Sequence, residues 1–203
     1  KIIKDEKVLE WADHESILRF YLNHLEDLIA KNNRDGLRNA TLILKELELS
    51  PDIWGKYSNY INTIYIENLL SSFSGWEETL GYYFDMLDKM PDDELKIKAY
   101  LVGSVSPIQS VRARASEEIC ERAATWADHK KILDFYLDYL ESPDPNNTEG
   151  VNNAVFIIKH IDTDILKKYG PRIERIYIRF TNDSKWVKTS DLLFDNIIDQ
   201  MSD

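Results

Sequence analysis

The chain has 203 residues, is 43% hydrophobic and carries a formal net charge of −11 at pH 7. This is enough apolar material for a sizeable core in one or two domains, and the acidic balance argues against nucleic acid and anionic membrane surfaces as partners. Glycine (7) and proline (6) are scarce, which argues against a turn-rich β fold, and no run reaches the ~18 apolar residues of a membrane span.

The chain starts at Lys1 without a methionine and enters partway through a helix, so a fragment of a longer chain is expected. Asp13 is the predicted N-cap of a helix from His14 to near Lys31, because its short carboxylate can accept backbone N–H groups of the first turn. Ile17, Leu18, Phe20, Tyr21, Leu22 and Leu25 cover more than one stripe of that helix, so neighbours on two sides are expected. The loop "KNNRDG" precedes a helix from near Leu37 to Leu47. Ser50 as cap and Pro51 at the first position open the next, with Ile53, Tyr57, Ile61, Ile64, Tyr65 and Leu69 at three- and four-residue spacing. Ser74 opens a helix reaching Met90. After "PDDELKIKAYLVGS", Ser106 and Pro107 begin another. Cys120 is expected on its apolar face as a small core residue. As the single cysteine it cannot form an internal disulfide, which favours a reducing, intracellular compartment, cytoplasmic or nuclear.

From there the pattern repeats. "WADHESILRFYLNHLE" (11–26) returns as "WADHKKILDFYLDYLE" (126–141), identical at eleven of sixteen positions and offset by 115 residues. "NNRDGLRNATLILKEL" (32–47) matches "NNTEGVNNAVFIIKHI" (146–161), and "KYSNYINTIYI" (56–66) matches "KYGPRIERIYI" (168–178). Trp76 matches Trp186, and "FDMLDKM" resembles "FDNIIDQM". An internal duplication of about ninety residues is read from these matches, with about eleven helices in all. The first copy spans 8–90, a connecting hairpin 91–122 and the second copy 123–201.

"PIQSVRARASEEICERAA" resembles the second helix of a HEAT repeat, and "GLRNATLILKEL" is a weaker match. Dividing the 115-residue offset by three hairpins gives ~38 residues each, near the HEAT and armadillo range. The resemblance implies an all-α, right-handed α-solenoid of about five stacked hairpins, forming one domain over 1–203. It also implies a concave surface that binds other proteins.

Trp11, Asp13, His14 and their matches Trp126, Asp128, His129 are candidate docking points, with tryptophan supplying area and its neighbours directional hydrogen bonds. The plainer account is that Asp caps, Trp closes a corner and His lies at the helix entrance. His14–Glu15 resembles one of the His-Glu pairs that hold iron in deoxyhypusine hydroxylase, a HEAT-like enzyme. Its match is His129–Lys130, so that site is not expected. No zinc motif, calcium loop, phosphate loop or nucleophile elbow occurs, so no cofactor and no catalysis are expected. One local feature opposes the global charge. Arg172, Arg175 and Arg179 share one side of a helix, on which Ile165, Tyr169, Ile173, Ile176 and Phe180 form the apolar face, and residues 159–188 carry a local balance of +4 (eight Lys/Arg, four Asp/Glu). The stripe is expected to face solvent, either as a solvated face paired with nearby acids or as a grip on a phosphate or an acidic segment.

The expected function is a non-catalytic protein-interaction scaffold or adaptor. The alternative is a small acidic inhibitor, of the immunity type, that captures a basic enzyme. A HEAT-like nucleic-acid enzyme, such as a DNA glycosylase with a basic concave face, is the remote third reading.

Overall fold

A computed structural model describes residues 13–70, 76–122, 129–193, 197, 198 and 201. Among these the chain is helical, with eleven helices: α1 His14–Ala30, α2 Arg34–Glu46, α3 Pro51–Leu69, α4 Glu77–Leu87, α5 Asp93–Ser104, α6 Gln109–Arg122, α7 His129–Glu141, α8 Thr148–Ile158, α9 Thr163–Lys168, α10 Gly170–Thr181 and α11 Val187–Leu193. The chain divides into two compact units, Lys1–Ala99 and Tyr100–Asp203.

In the first unit, local chemistry sets the helix starts. Asp13 accepts from the backbone N–H of Glu15 and Ser16 and from the Ser16 hydroxyl at 2.6 Å. Ser50 accepts from the N–H of Ile53, with Pro51 at the first helical position. Asn33 caps α2 through Gly36 N–H at 3.0 Å, so the loop asparagine of "KNNRDG" is the cap and α2 starts at Arg34, ahead of the expected Leu37. The preceding Asn32 takes φ 53°, a left-handed conformation that asparagine tolerates better than most residues. Leu18, Leu22 and Leu25 of α1 meet Leu37, Ala40 and Leu44 of α2 in the core, each buried leucine contributing ~1.5–3 kcal/mol. α2 packs on α1 and α4, and α3 packs on the same two helices.

The second unit shows the same neighbour order at the matched segments. α8 packs on α7 and α11, and α10 packs on the same two. α6 adds a further neighbour to α8. Asn147 caps α8 through Gly150 N–H at 3.0 Å, the counterpart of Asn33 and Gly36. Both glycines sit where a Cβ would strike the capping amide, at 2.8 Å in one unit and 2.5 Å in the other. That crowding explains the shared Asn-x-x-Gly.

Four expectations are corrected. The helix expected around Tyr169 is two, α9 and α10, meeting at Tyr169. Pro171 has no N–H to donate, and it disfavours helical geometry at the residue before it. Cys120 is exposed. The buried face of α6 is Val111, Ala115 and Ile119, and the next residue points a hundred degrees away. Phe20 is 56% exposed, so α1 is covered less completely than its apolar residues suggest. The tight turn at Ser106 precedes the helix, whose first residue is Gln109, with Ser106 Oγ accepting from Ile108 N–H at 3.2 Å.

Candidate functional site

At the start of α1, three consecutive polar residues are engaged within the unit. Asp13 is the cap, and its bonds to Ser16 hold its carboxyl below the usual range. His14 Nδ1 lies 2.9 Å from the carbonyl of Glu48, beyond the end of α2. Glu15 accepts from Lys56 Nζ at 2.5 Å and from the Tyr57 hydroxyl at 2.7 Å, both on α3. Lys56 and Tyr57 hold the Glu15 carboxyl below its usual range. His129 is half-buried as the first residue of α7. Trp11, Trp126 and Asp128 lie outside the described residues. The described part of the motif thus joins the beginning of one helix to the end of a second and the start of a third.

The arginine stripe on α10 meets an acidic stripe on α7. Arg172 Nε donates to Glu141 Oε1 at 2.7 Å and Nη2 to Oε2 at 3.0 Å, a two-pronged pairing. Asp138 accepts a further bond, and Asp134 lies 3.6 Å away. The side chain is only 20% exposed, contrary to the expected solvent-facing position. Arg179 donates both terminal nitrogens to the carbonyls of Leu140 and Glu141, the last residues of α7. Those carbonyls have no partner within their own helix, and a cation there also opposes the helix dipole. Arg175 is exposed. Arg172 holds the Glu141 carboxyl below its ordinary range, with help from Arg175 and Arg179. The first unit uses a different donor at the same joint: Tyr60, which aligns with Arg172, donates to Glu26 at 3.0 Å, and Glu26 aligns with Glu141.

Three buried tyrosines bond between helices. Tyr65 and Thr41 oxygens are 2.7 Å apart, joining α3 to α2. Tyr83 donates to Asn62 at 2.5 Å, joining α4 to α3, and its ring stacks on Tyr65 at 4.7 Å. Tyr136 meets Ser104 at 2.7 Å, joining α7 to the end of α5. Burial raises the pKa of Tyr65 and Tyr136 well above the ordinary phenol value.

A second polar joint surrounds that contact. Asn147 Nδ2 donates to the Val105 carbonyl at 2.6 Å. Asn153 Nδ2 donates to the Ser104 carbonyl at 2.7 Å and to Ser116 Oγ at 2.8 Å. Arg112 lies 3.9 Å from Glu149. The only sequence signal for these residues was that both asparagines recur in the first copy.

Among the described residues no group of three or more His, Cys, Asp or Glu side chains is placed to hold a metal ion, and no helix is long and apolar enough to cross a membrane. No family model, curated protein or solved structure matches the chain.

Proposed function

We propose that the chain is part of a HEAT-like α-solenoid, built by internal duplication, that serves as a protein-interaction scaffold without catalysis. The observation that carries this reading is the recurrence of the same joints in both units: the Asn-x-x-Gly helix start, the Glu26/Glu141 contact and the matching neighbour order. Residues repeated for stacking build a surface by repetition. The named polar motifs are spent on those joints. What remains outward is a set of large apolar side chains, including Phe20 at 56% and Phe156 at 47% exposure. Each is backed by a histidine one turn on, with ring centroids 4.3 Å apart for Phe20–His24 and 4.9 Å for Phe156–His160. Exposed aromatics of this kind anchor protein partners. An intracellular site of action goes with this reading.

The test is affinity capture with the full chain and with Phe20→Asp and Phe156→Asp variants of unchanged melting temperature. The scaffold reading expects specific proteins that wild type retains and a variant releases. Identical captures with all three chains contradict it.

The charge of −11 supports a second reading, an inhibitor of a basic enzyme. It expects association that slows steeply with salt. The nucleic-acid reading rested on the arginine stripe, and two of its three members now have acidic or carbonyl partners inside the unit.

A further inference from the structure

In the second unit, residues 100–122 are seated on α7 and α8 through Tyr136, Asn147, Asn153 and Glu149. The aligned residues of the first unit are Tyr21, Asn33, Asn39 and Asp35, so every gripping group recurs in kind. Their exposure differs in one direction. Tyr136 and Asn147 are buried and Asn153 half-buried, whereas Tyr21 is half-buried and Asn33 and Asn39 are exposed. Ile132 is buried, and its match Ile17 is half-buried. Phe135 packs edge-on against Tyr136 with centroids 5.2 Å apart, and Phe20 holds the same relation to Tyr21 at 5.3 Å. A Cβ at Gly150 would meet the Val105 carbonyl at 2.5 Å, so that glycine admits the incoming backbone. At Gly36 the corresponding space is taken by the Leu28 side chain, whose Cδ2 a Cβ would meet at 2.8 Å, and an incoming backbone has only that flexible side-chain end to displace.

We propose that this face of α1 and α2 is a docking surface for a helical segment of the residues 100–122 kind. Its occupant ends one helix in a serine whose hydroxyl meets Tyr21. It offers the carbonyls of that serine and of the next residue to Asn39 and Asn33. After a tight turn, its second helix brings an arginine to Asp35 and a serine hydroxyl to Asn39. Charge agrees with this, since Asp35 keeps the negative sign that Glu149 presents to Arg112. The inference rests on the duplication proposed above and adds the chemistry of the partner. Side-chain amides left facing water gain from an occupant that supplies carbonyls, because buried amides must be paired.

The test supplies the occupant in cis. A second copy of residues 91–122 replaces residues 1–7, which keeps the 115-residue register of the repeat. The grafted chain should melt several degrees higher than the original. Asn39→Ala and Tyr21→Phe should erase most of that gain while leaving the ungrafted chain unchanged. No gain, or a gain that survives both substitutions, overturns the proposal. Should the graft fail to fold, a polypeptide of residues 91–122 added in trans must bind the ungrafted chain saturably and lose at least several-fold affinity with Asn39→Ala. Absence of such binding overturns the proposal. A dimer of the ungrafted chain that Asn39→Ala breaks would assign the face to a second copy and also overturn it. Asn153→Ala in the ungrafted chain separates the two levels. If it lowers the melting temperature while the graft adds nothing, the docking inference alone fails. If it has no effect, the repeated-joint reading fails with it.

Discussion

Single side chains here do more joining than their types suggest. Arg172 is the clearest case, with three carboxylates of one helix around one guanidinium. Arg172→Met should cost about 1 kcal/mol at neutral pH, near the upper end for exposed pairs because the geometry is two-pronged. The acids are 39–73% exposed, so solvent screening keeps the figure small. The pH dependence has a definite sign. Glu141 has a lowered folded-state pKa, so its contribution is complete above its unfolded value of about 4.3 and is lost as pH falls through the folded value. The difference in melting temperature between wild type and Arg172→Met should therefore shrink below about pH 4. A difference that stays constant down to acid pH would show that the arginine acts through packing alone. The two capping glycines should also differ. Gly150→Ala drives a Cβ toward a main-chain carbonyl, while Gly36→Ala meets only flexible side-chain ends. Urea denaturation should show a loss of ~1–3 kcal/mol at Gly150, in the range of overpacking, and a smaller one at Gly36.

At the level of the element, asparagine caps separate local from long-range work. Asn33→Ala should remove a cap worth ~1 kcal/mol. Asn147→Ala should lose that cap and also leave the Val105 carbonyl unpaired, adding ~1–3 kcal/mol. Equal losses in chemical denaturation would mean that the Asn147–Val105 bond contributes nothing. Helix starts were legible where a cap signal and a periodic run coincide, as at Asp13 with His14 and at Ser50 with Pro51. The start of α2 was misplaced by three residues because Arg34 and Asp35 carry no apolar signal, while the capping asparagine stood inside what looked like loop. The break at Tyr169 was hidden by unbroken apolar spacing from Ile165 to Phe180. Cys120 was misplaced because a rotation of one residue decides between core and surface on a helix whose buried face is as narrow as Val111, Ala115 and Ile119.

Across the molecule, the repeat in the sequence predicts where joints fall better than what they are made of. The match of Tyr60 to Arg172 looked like a departure from the repeat, yet both side chains reach the same aligned glutamate. In the arginine stripe a pairing with nearby acids and an anion grip read alike, because the acidic partners lie a helix away and sequence spacing does not report contacts between helices. The buried tyrosine bonds were illegible for the same reason. The recurring asparagines were visible as identities, but their amides acquire meaning only beside the Ser104 and Val105 carbonyls. The central claim is that one packing scheme, with one set of joints, is written twice. A crystal structure of the full chain tests it most directly. The account predicts that residues 14–69 and 129–181 superpose with α1 on α7, α2 on α8 and α3 on α9 and α10. Copies with different helix pairings, or Glu26 and Glu141 facing different neighbours, would contradict it.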